Sequence, residues 1–185
     1  MKKLLLILMT NMLPMLAVAD AVEINGVNFN IDSKNKTAEV TYNPFKYVGS
    51  VSIPPTITCN ETEYSVTSIG NNAFSDCSDL TSISIPNSVS YVGQNAFFMC
   101  SGLTSVNISD LEAWCKIEFY PSYYTNPLYI AHHLYMNGEE IKDLVIPNSV
   151  TSIGNAAFYG CSGLTSVTLP NSVTSIGWSA FFGCI

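Results

Sequence analysis

Apolar residues alternate with small hydroxylated ones in LTSISI (80–85), and the same alternation returns in LTSVNI (103–108) and LTSVTL (164–169). A period of two predicts short strands with one apolar face and one face of serine and threonine. Pro86 and Pro170 follow two of these segments directly, and proline, which cannot donate to a ladder, ends a strand. The Asn-Ser pairs that come next, as in Asn171-Ser172, suit a turn. Val173 and Ile176 are then expected to point back inward from a second short extended segment. Gly177 is expected to take a backbone conformation closed to other residues. Ala180-Phe181 is expected to start a brief helical or 3₁₀ turn, with Phe181 filling the middle of a coil.

These elements recur in fixed order. Ile53-Pro54, Ile85-Pro86, Ile146-Pro147 and Leu169-Pro170 align, as do Gly70, Gly93, Gly154 and Gly177. Three residues after each glycine come Ala73-Phe74, Ala96-Phe97, Ala157-Phe158 and Ala180-Phe181, and three residues after each phenylalanine come Cys77, Cys100, Cys161 and Cys184. The period is 23 residues, from Cys77 to Cys100 and again from Cys161 to Cys184. A unit of that length with this spacing predicts a solenoid in which stacked neighbours cover one another's apolar faces.

Three regions depart from the period. Residues 22–46 hold short alternating segments, VNFNI and AEVTY, separated by polar runs, and predict a β-meander that caps the first coil. Nine extra residues around TITCNETEY lengthen the first coil. The largest break is 109–140, SDLEAWCKIEFYPSYYTNPLYIAHHLYMNGEE, which predicts a short helix over 110–116, a strand in CKIEF, and a hairpin arm at 133–138. It carries five tyrosines (120, 123, 124, 129 and 135) and both histidines. Insertions between repeats often map to a binding face, and tyrosine gives broad contact area. The segment could equally pack on the flank and bridge an irregular coil.

The cysteine column has two readings. Its inward position favours packing thiols, and its spacing permits disulfides between neighbouring coils. Cys59 and Cys115 lie outside it. No C-x-x-C pair occurs, so zinc is not expected. His132 and His133 are adjacent on an extended segment and face opposite ways, so they would not chelate one ion. Glu139-Glu140 reads as a solvated pair. No catalytic constellation or phosphate-binding glycine loop is present, and no cofactor is expected. A hydrolase acting through His133 stands as a remote alternative.

Residues 1–19 combine Lys2-Lys3, an apolar stretch and Ala17-Val18-Ala19, the pattern of a cleaved secretory signal, which predicts a secreted or surface-exposed product with no membrane insertion afterwards. The chain contains no arginine, and cleavage leaves 5 lysines against 14 acids, a net charge of −9. That balance argues against nucleic acid as a partner.

The units LTSISIPNSVSYVGQNAFFMCSG, DLVIPNSVTSIGNAAFYGCSG and LTSVTLPNSVTSIGWSAFFGC closely resemble the BspA-like leucine-rich repeat, and the resemblance covers most of 47–185. The lead-in to IPPTITCNETEYSVTSIG and the DLEAWCKIEF…HHLYMNGEEI insert also resemble such proteins. The resemblance implies a β-rich leucine-rich-repeat solenoid with short helical turns, preceded by a small β-meander cap at 20–46. It further implies a secreted or cell-surface protein without catalytic residues, acting in adhesion to host matrix proteins or other cells. The expected binding surface joins the strand face of Ser82, Ser84, Ser105, Asn107, Ser166 and Thr168 to the insert tyrosines Tyr120, Tyr123, Tyr124 and Tyr129, with an extracellular protein or glycan as partner. The last unit stops at Cys184-Ile185, two residues before the next leucine is due. That predicts an open coil edge, from a truncated chain with no ligand of its own or from a surface that self-associates edge to edge.

Overall fold

The computed structural model describes residues 21–122 and 124–184. The segment expected to be a secretory signal, and Tyr123, lie outside the described residues. Strands Val22–Ile24, Val27–Asp32 and Thr37–Val40 form an antiparallel meander. Its first turn, Asn25-Gly26, is left-handed at both residues (φ 51° and 79°), as a two-residue hairpin turn requires. Thr37–Val40 then pairs in parallel with Thr62–Ile69, which seats the meander on the first coil and buries Val27, Phe29, Ala38 and Val40.

Beyond it the chain winds as a β-solenoid. One wall is the parallel row Gly49–Ser52, Leu80–Ile85, Ser105–Ile108 and Leu134–Met136. The second is Thr62–Ile69, Tyr91–Val92 and Glu118–Phe119. The extra residues of the first coil form an antiparallel hairpin, Thr56–Cys59 against Thr62–Ile69.

The third wall, expected to contain a brief helical or 3₁₀ turn, is a run of β-turns closed by bonds that span three residues. Ala73, Ser75 and Cys77 donate their N–H groups to Gly70, Asn72 and Phe74 within the coil. The alternate residues Asn72, Phe74 and Asp76 donate to Gln94, Ala96 and Phe98 of the next coil. Every second amide is thus committed to the neighbouring coil, which leaves no ladder for a helix. Left-handed φ occurs at Asn72, Asn95, Ala156 and Ser179, two residues after each glycine. The repeat glycines themselves are not left-handed, contrary to the expectation for Gly177. They are needed for close approach: a Cβ on Gly93 would stand 2.7 Å from Asn71 N and 2.9 Å from Gly70 C, and one on Gly177 would meet Asn155 and Gly154 in the same way.

Inside the coils Phe74 and Phe97 stack at 5.1 Å, and Phe158 and Phe181 at 5.2 Å. Burying one such ring contributes about 1.5–3 kcal/mol, provided the neighbouring coil covers it. Val92 and Ile153 are buried, whereas Ile176, expected to point inward, is half exposed because no later coil stacks on it among the described residues.

The insert replaces one coil. Helix Leu111–Cys115 is capped by Asp110, whose carboxylate accepts from Ala113 N at 2.8 Å, and leads into strand Glu118–Phe119. A second short helix, Leu128–Ala131, was not evident in the pattern; it ends on His132 in the left-handed conformation. Tyr124 O accepts from Phe97 N as Ala96 O accepts from Phe74 N, so the register puts Thr125 in the phenylalanine column. Trp114 and Leu128 are the large fully buried side chains that the insert adds to the core.

The insert also dislocates both strand walls. Leu134–Met136 pairs back to Ser105–Ile108 and turns through Asn137-Gly138 into Glu139–Glu140. A separate pair, Asp143–Val145 with Ser166–Thr168, continues the first wall, and Ser152–Ile153 with Ser175–Ile176 continues the second. At this seam side chains supply the donors that backbone amides supply elsewhere. Asn126 Nδ2 donates to Ala156 O at 2.7 Å and to Ala157 O at 3.0 Å, and Trp114 Nε1 donates to Ala157 O at 2.9 Å. Buried carbonyls must find partners, and these side chains meet that need where the ladder is interrupted.

Candidate binding site

The strand face holds Ser82, Ser84, Ser105 and Asn107 in one register, Ser82 opposite Ser105 and Ser84 opposite Asn107. All four are half-buried. Their polar atoms largely serve one another: Ser105 Oγ donates to Ser82 Oγ at 2.9 Å, and Asn107 Nδ2 donates to Ser82 Oγ at 2.9 Å. Ser50 and Ser52 extend the same row and were marked by the same alternation. Tyr135 continues it beyond Asn107. Ser166 and Thr168 are exposed but belong to the separate pair beyond the seam. There Ser166 donates to Asp143 Oδ1 at 2.7 Å, a bond that holds the Asp143 carboxyl below its ordinary range. The expected face is therefore divided between two sheets, and its hydroxyls act chiefly as rungs between coils.

Tyr124 and Tyr129 of the insert lie along the turn wall instead. Tyr124 packs edge-on against Phe98 at 4.9 Å and against Tyr129 at 5.6 Å. Tyr129 meets Tyr159, which stacks on Phe182 at 5.2 Å. These rings make a continuous aromatic string along the turn wall, so most of their area is spent on one another. Tyr120 stands apart. It lines a cavity of about 390 Å³ that opens at the seam, with Phe119 and Ser122 on the insert side and Asn155, Tyr159 and Trp178 on the other. Neither Asn155 nor Trp178 was expected from the sequence. The signal was a tryptophan at a repeat position that elsewhere carries Asn71, Gln94 and Asn155.

The titratable groups are arranged for structure. His133 Nδ1 lies 2.6 Å from Glu140 Oε1, and Lys142 Nζ lies 3.7 Å from Glu140 Oε2. The His133 hydrogen bond holds the Glu140 carboxyl below its usual range. Glu140 is thus tied into the hairpin rather than solvated beside Glu139, because the strand turns its side chain toward His133. His132 points elsewhere, with Nδ1 2.8 Å from Gly160 O. The six cysteines are free thiols, five of them buried. Cys100 donates to Phe74 O at 3.0 Å and Cys184 to Phe158 O at 3.1 Å, so the column packs and hydrogen-bonds. Among the described residues no group of histidine, cysteine and carboxylate side chains is arranged to hold a metal ion, and no helix is long and apolar enough to cross a membrane.

The comparisons with known proteins agree with this geometry. The model of the BspA type leucine rich repeat region matches residues 56–125 and 128–185 in six copies. No curated protein matches the chain. A leucine rich cell surface protein from Faecalibacterium prausnitzii is similar at 26% identity and a TM-score of 0.53, over 89% of this chain and 52% of that one. A leucine-rich repeat protein from Bacteroides ovatus is similar at 28% identity and a TM-score of 0.49, over 88% of this chain and 45% of that one. The chain thus spans about half the length of these solved relatives. With the family model covering well over half its residues, the chain belongs to the BspA type leucine-rich repeat family.

Proposed function

We propose that this solenoid is a non-catalytic binding module that works outside the cell, exported by its N-terminal segment and engaging an extracellular protein or glycan. The observation that carries the reading is the seam cavity. A regular solenoid presents repeating ladders, and here the largest break in the repeat opens a concave, aromatic-walled site beside it. Concave apolar sites with a few placed polar groups are where ligands bind. The family membership and the similarity to a protein described as a cell surface protein support the location.

The test compares two surfaces. Immobilised protein is exposed to extracellular matrix proteins and to whole cells, as wild type, as Ser84→Lys with Asn107→Lys, and as Tyr120→Ala with Trp178→Ala. The reading expects retention by wild type, a large loss in the Tyr120/Trp178 pair and little change in the strand-face pair. Retention that survives both sets of changes, or none by wild type, would count against it.

A further inference from the structure

We propose that the seam cavity is a subsite for a neutral sugar ring, an inference that rests on the binding-module reading and names its ligand class. At about 390 Å³ it falls in the lower part of the roughly 300–1,000 Å³ range of small-molecule pockets. Its walls are aromatic and uncharged: no aspartate, glutamate, lysine or histidine lines it. A pyranose has an apolar C–H face that packs on the negative face of an aromatic ring, and a rim of hydroxyls that need donors and acceptors. The cavity offers both kinds of partner. Tyr120 and Trp178 present exposed ring surface (39% and 68%). Asn155 supplies an amide at the rim and Ser122 a hydroxyl.

Ser122 Oγ donates to Asn95 Oδ1 at 3.4 Å and keeps its capacity to accept, and the Asn155 amide keeps a donor. Asn155 Oδ1 accepts from Trp178 N at 2.8 Å, as Asn71 Oδ1 accepts from Gln94 N at 2.7 Å one pair of coils earlier. The carbonyl of Asn155 is thus committed to the coil ladder, and its Nδ2 remains as a donor with no partner among the described residues. The exposure of Trp178 belongs to its repeat position, because Asn71, Gln94 and Asn155 are exposed at the same position with another coil stacked beyond them. Elsewhere that position carries a polar amide, and here it carries an indole turned to the same cavity as Tyr120. A quaternary ammonium would seek aromatic walls with a carboxylate nearby, and none is present. An acidic glycan would meet a protein of net charge −7 and be repelled.

The chain has two tryptophans, and Trp114 is 1% exposed, so acrylamide quenching of fluorescence reports on Trp178. The probes are cello-, manno- and galacto-oligosaccharides, with tetramethylammonium and a polyproline peptide as comparison arms, and affinities are read by titration calorimetry. The expected result is that at least one neutral oligosaccharide binds and shields Trp178 from acrylamide. Trp178→Ala and Asn155→Asp should each then weaken that binding about tenfold or more, or about 1.4 kcal/mol, with thermal unfolding of the variants unchanged. Asn155→Asp keeps the acceptor for Trp178 N–H, removes the donor and adds a carboxylate charge, to which a neutral sugar is indifferent at long range. The proposal is overturned when no neutral oligosaccharide binds at millimolar concentration, when both variants bind as wild type does, or when tetramethylammonium or polyproline shields Trp178 and no sugar does. Retention of a matrix protein or cell without any sugar binding leaves the module reading standing and removes this one; failure of every arm, including the matrix and cell assay, removes both.

Discussion

A thiol inside the turn column is held in its protonated form by its surroundings. Burial pushes Cys100, Cys115 and Cys161 up to about 12 from the ordinary 9.0, and moves Cys77 and Cys184 in the same direction. An unfolded chain releases these protons at the ordinary value, so above it the unfolded state binds fewer protons than the folded one. The thiol contribution to stability is therefore complete below pH 9.0 and is lost as pH rises from there toward about 12. Urea midpoints measured across that alkaline window should fall, and fall less in a Cys100→Ala, Cys161→Ala variant; a midpoint flat across the window in wild type would contradict the assignment. Thr125 makes the opposite point. It is fully buried in the column where phenylalanine stands in other coils, and its Oγ1 has no hydrogen-bond partner among the described residues. An unsatisfied buried hydroxyl costs about 1–3 kcal/mol, so Thr125→Val, equal in shape, should raise the melting temperature.

Elements show where reading the sequence succeeds and where it stops. The strands of LTSISIP and its copies were legible because alternation and proline act within a few residues. The Leu111–Cys115 helix was legible within 110–116 for the same reason, though Asp110 proves to be its cap rather than its first turn. The turn wall was legible as a brief helical or 3₁₀ turn, and its bonds within a coil do span three residues; what no local pattern announces is that the alternate amides bond to a residue 22 positions away, as Phe74 does to Ala96. The role of the repeat glycines was misread: what excludes a side chain at Gly93 is the backbone of Asn71 in the previous coil, not its own φ. Side-chain bridging at the seam depends on which segment replaces a coil, so no local pattern announces it. Asn126 is its centre, donating to Ala156 and Ala157 and accepting from Leu128 N at 2.8 Å. Asn126→Ala leaves Ala157 O with Trp114 Nε1 and takes the side-chain partner from Ala156 O and from the buried Leu128 N; an unpaired buried group costs about 1–3 kcal/mol, and chemical denaturation should show a loss of about that size. Asn126→Asp should also destabilise, since it keeps the acceptor and loses both donated bonds.

At the scale of the whole molecule, the architecture was readable because each coil must offer its neighbour the same face, and repetition at a fixed period exposes that demand. The candidate site was readable only in part. Tyr120 was found through the irregularity of its segment, while Trp178 and Asn155 were hidden inside units that look regular. The cavity needs residues from the insert and from two later coils, and that juxtaposition exists only once the coils are stacked. The seam that creates it has a further consequence for how the solenoid breathes. Gly154 N–H to Cys115 O and Gly163 N–H to His132 O are the loop backbone bonds that cross it, against full ladders on either side. Residues 143–184 should therefore open as one cooperative block below the free energy of global unfolding. Native-state hydrogen exchange would see it as two families of amides: those of Ser152–Ile153 and Phe158 sharing a lower opening energy, and those of Leu80–Ile85 and Thr62–Ile69 exchanging only when the whole chain unfolds.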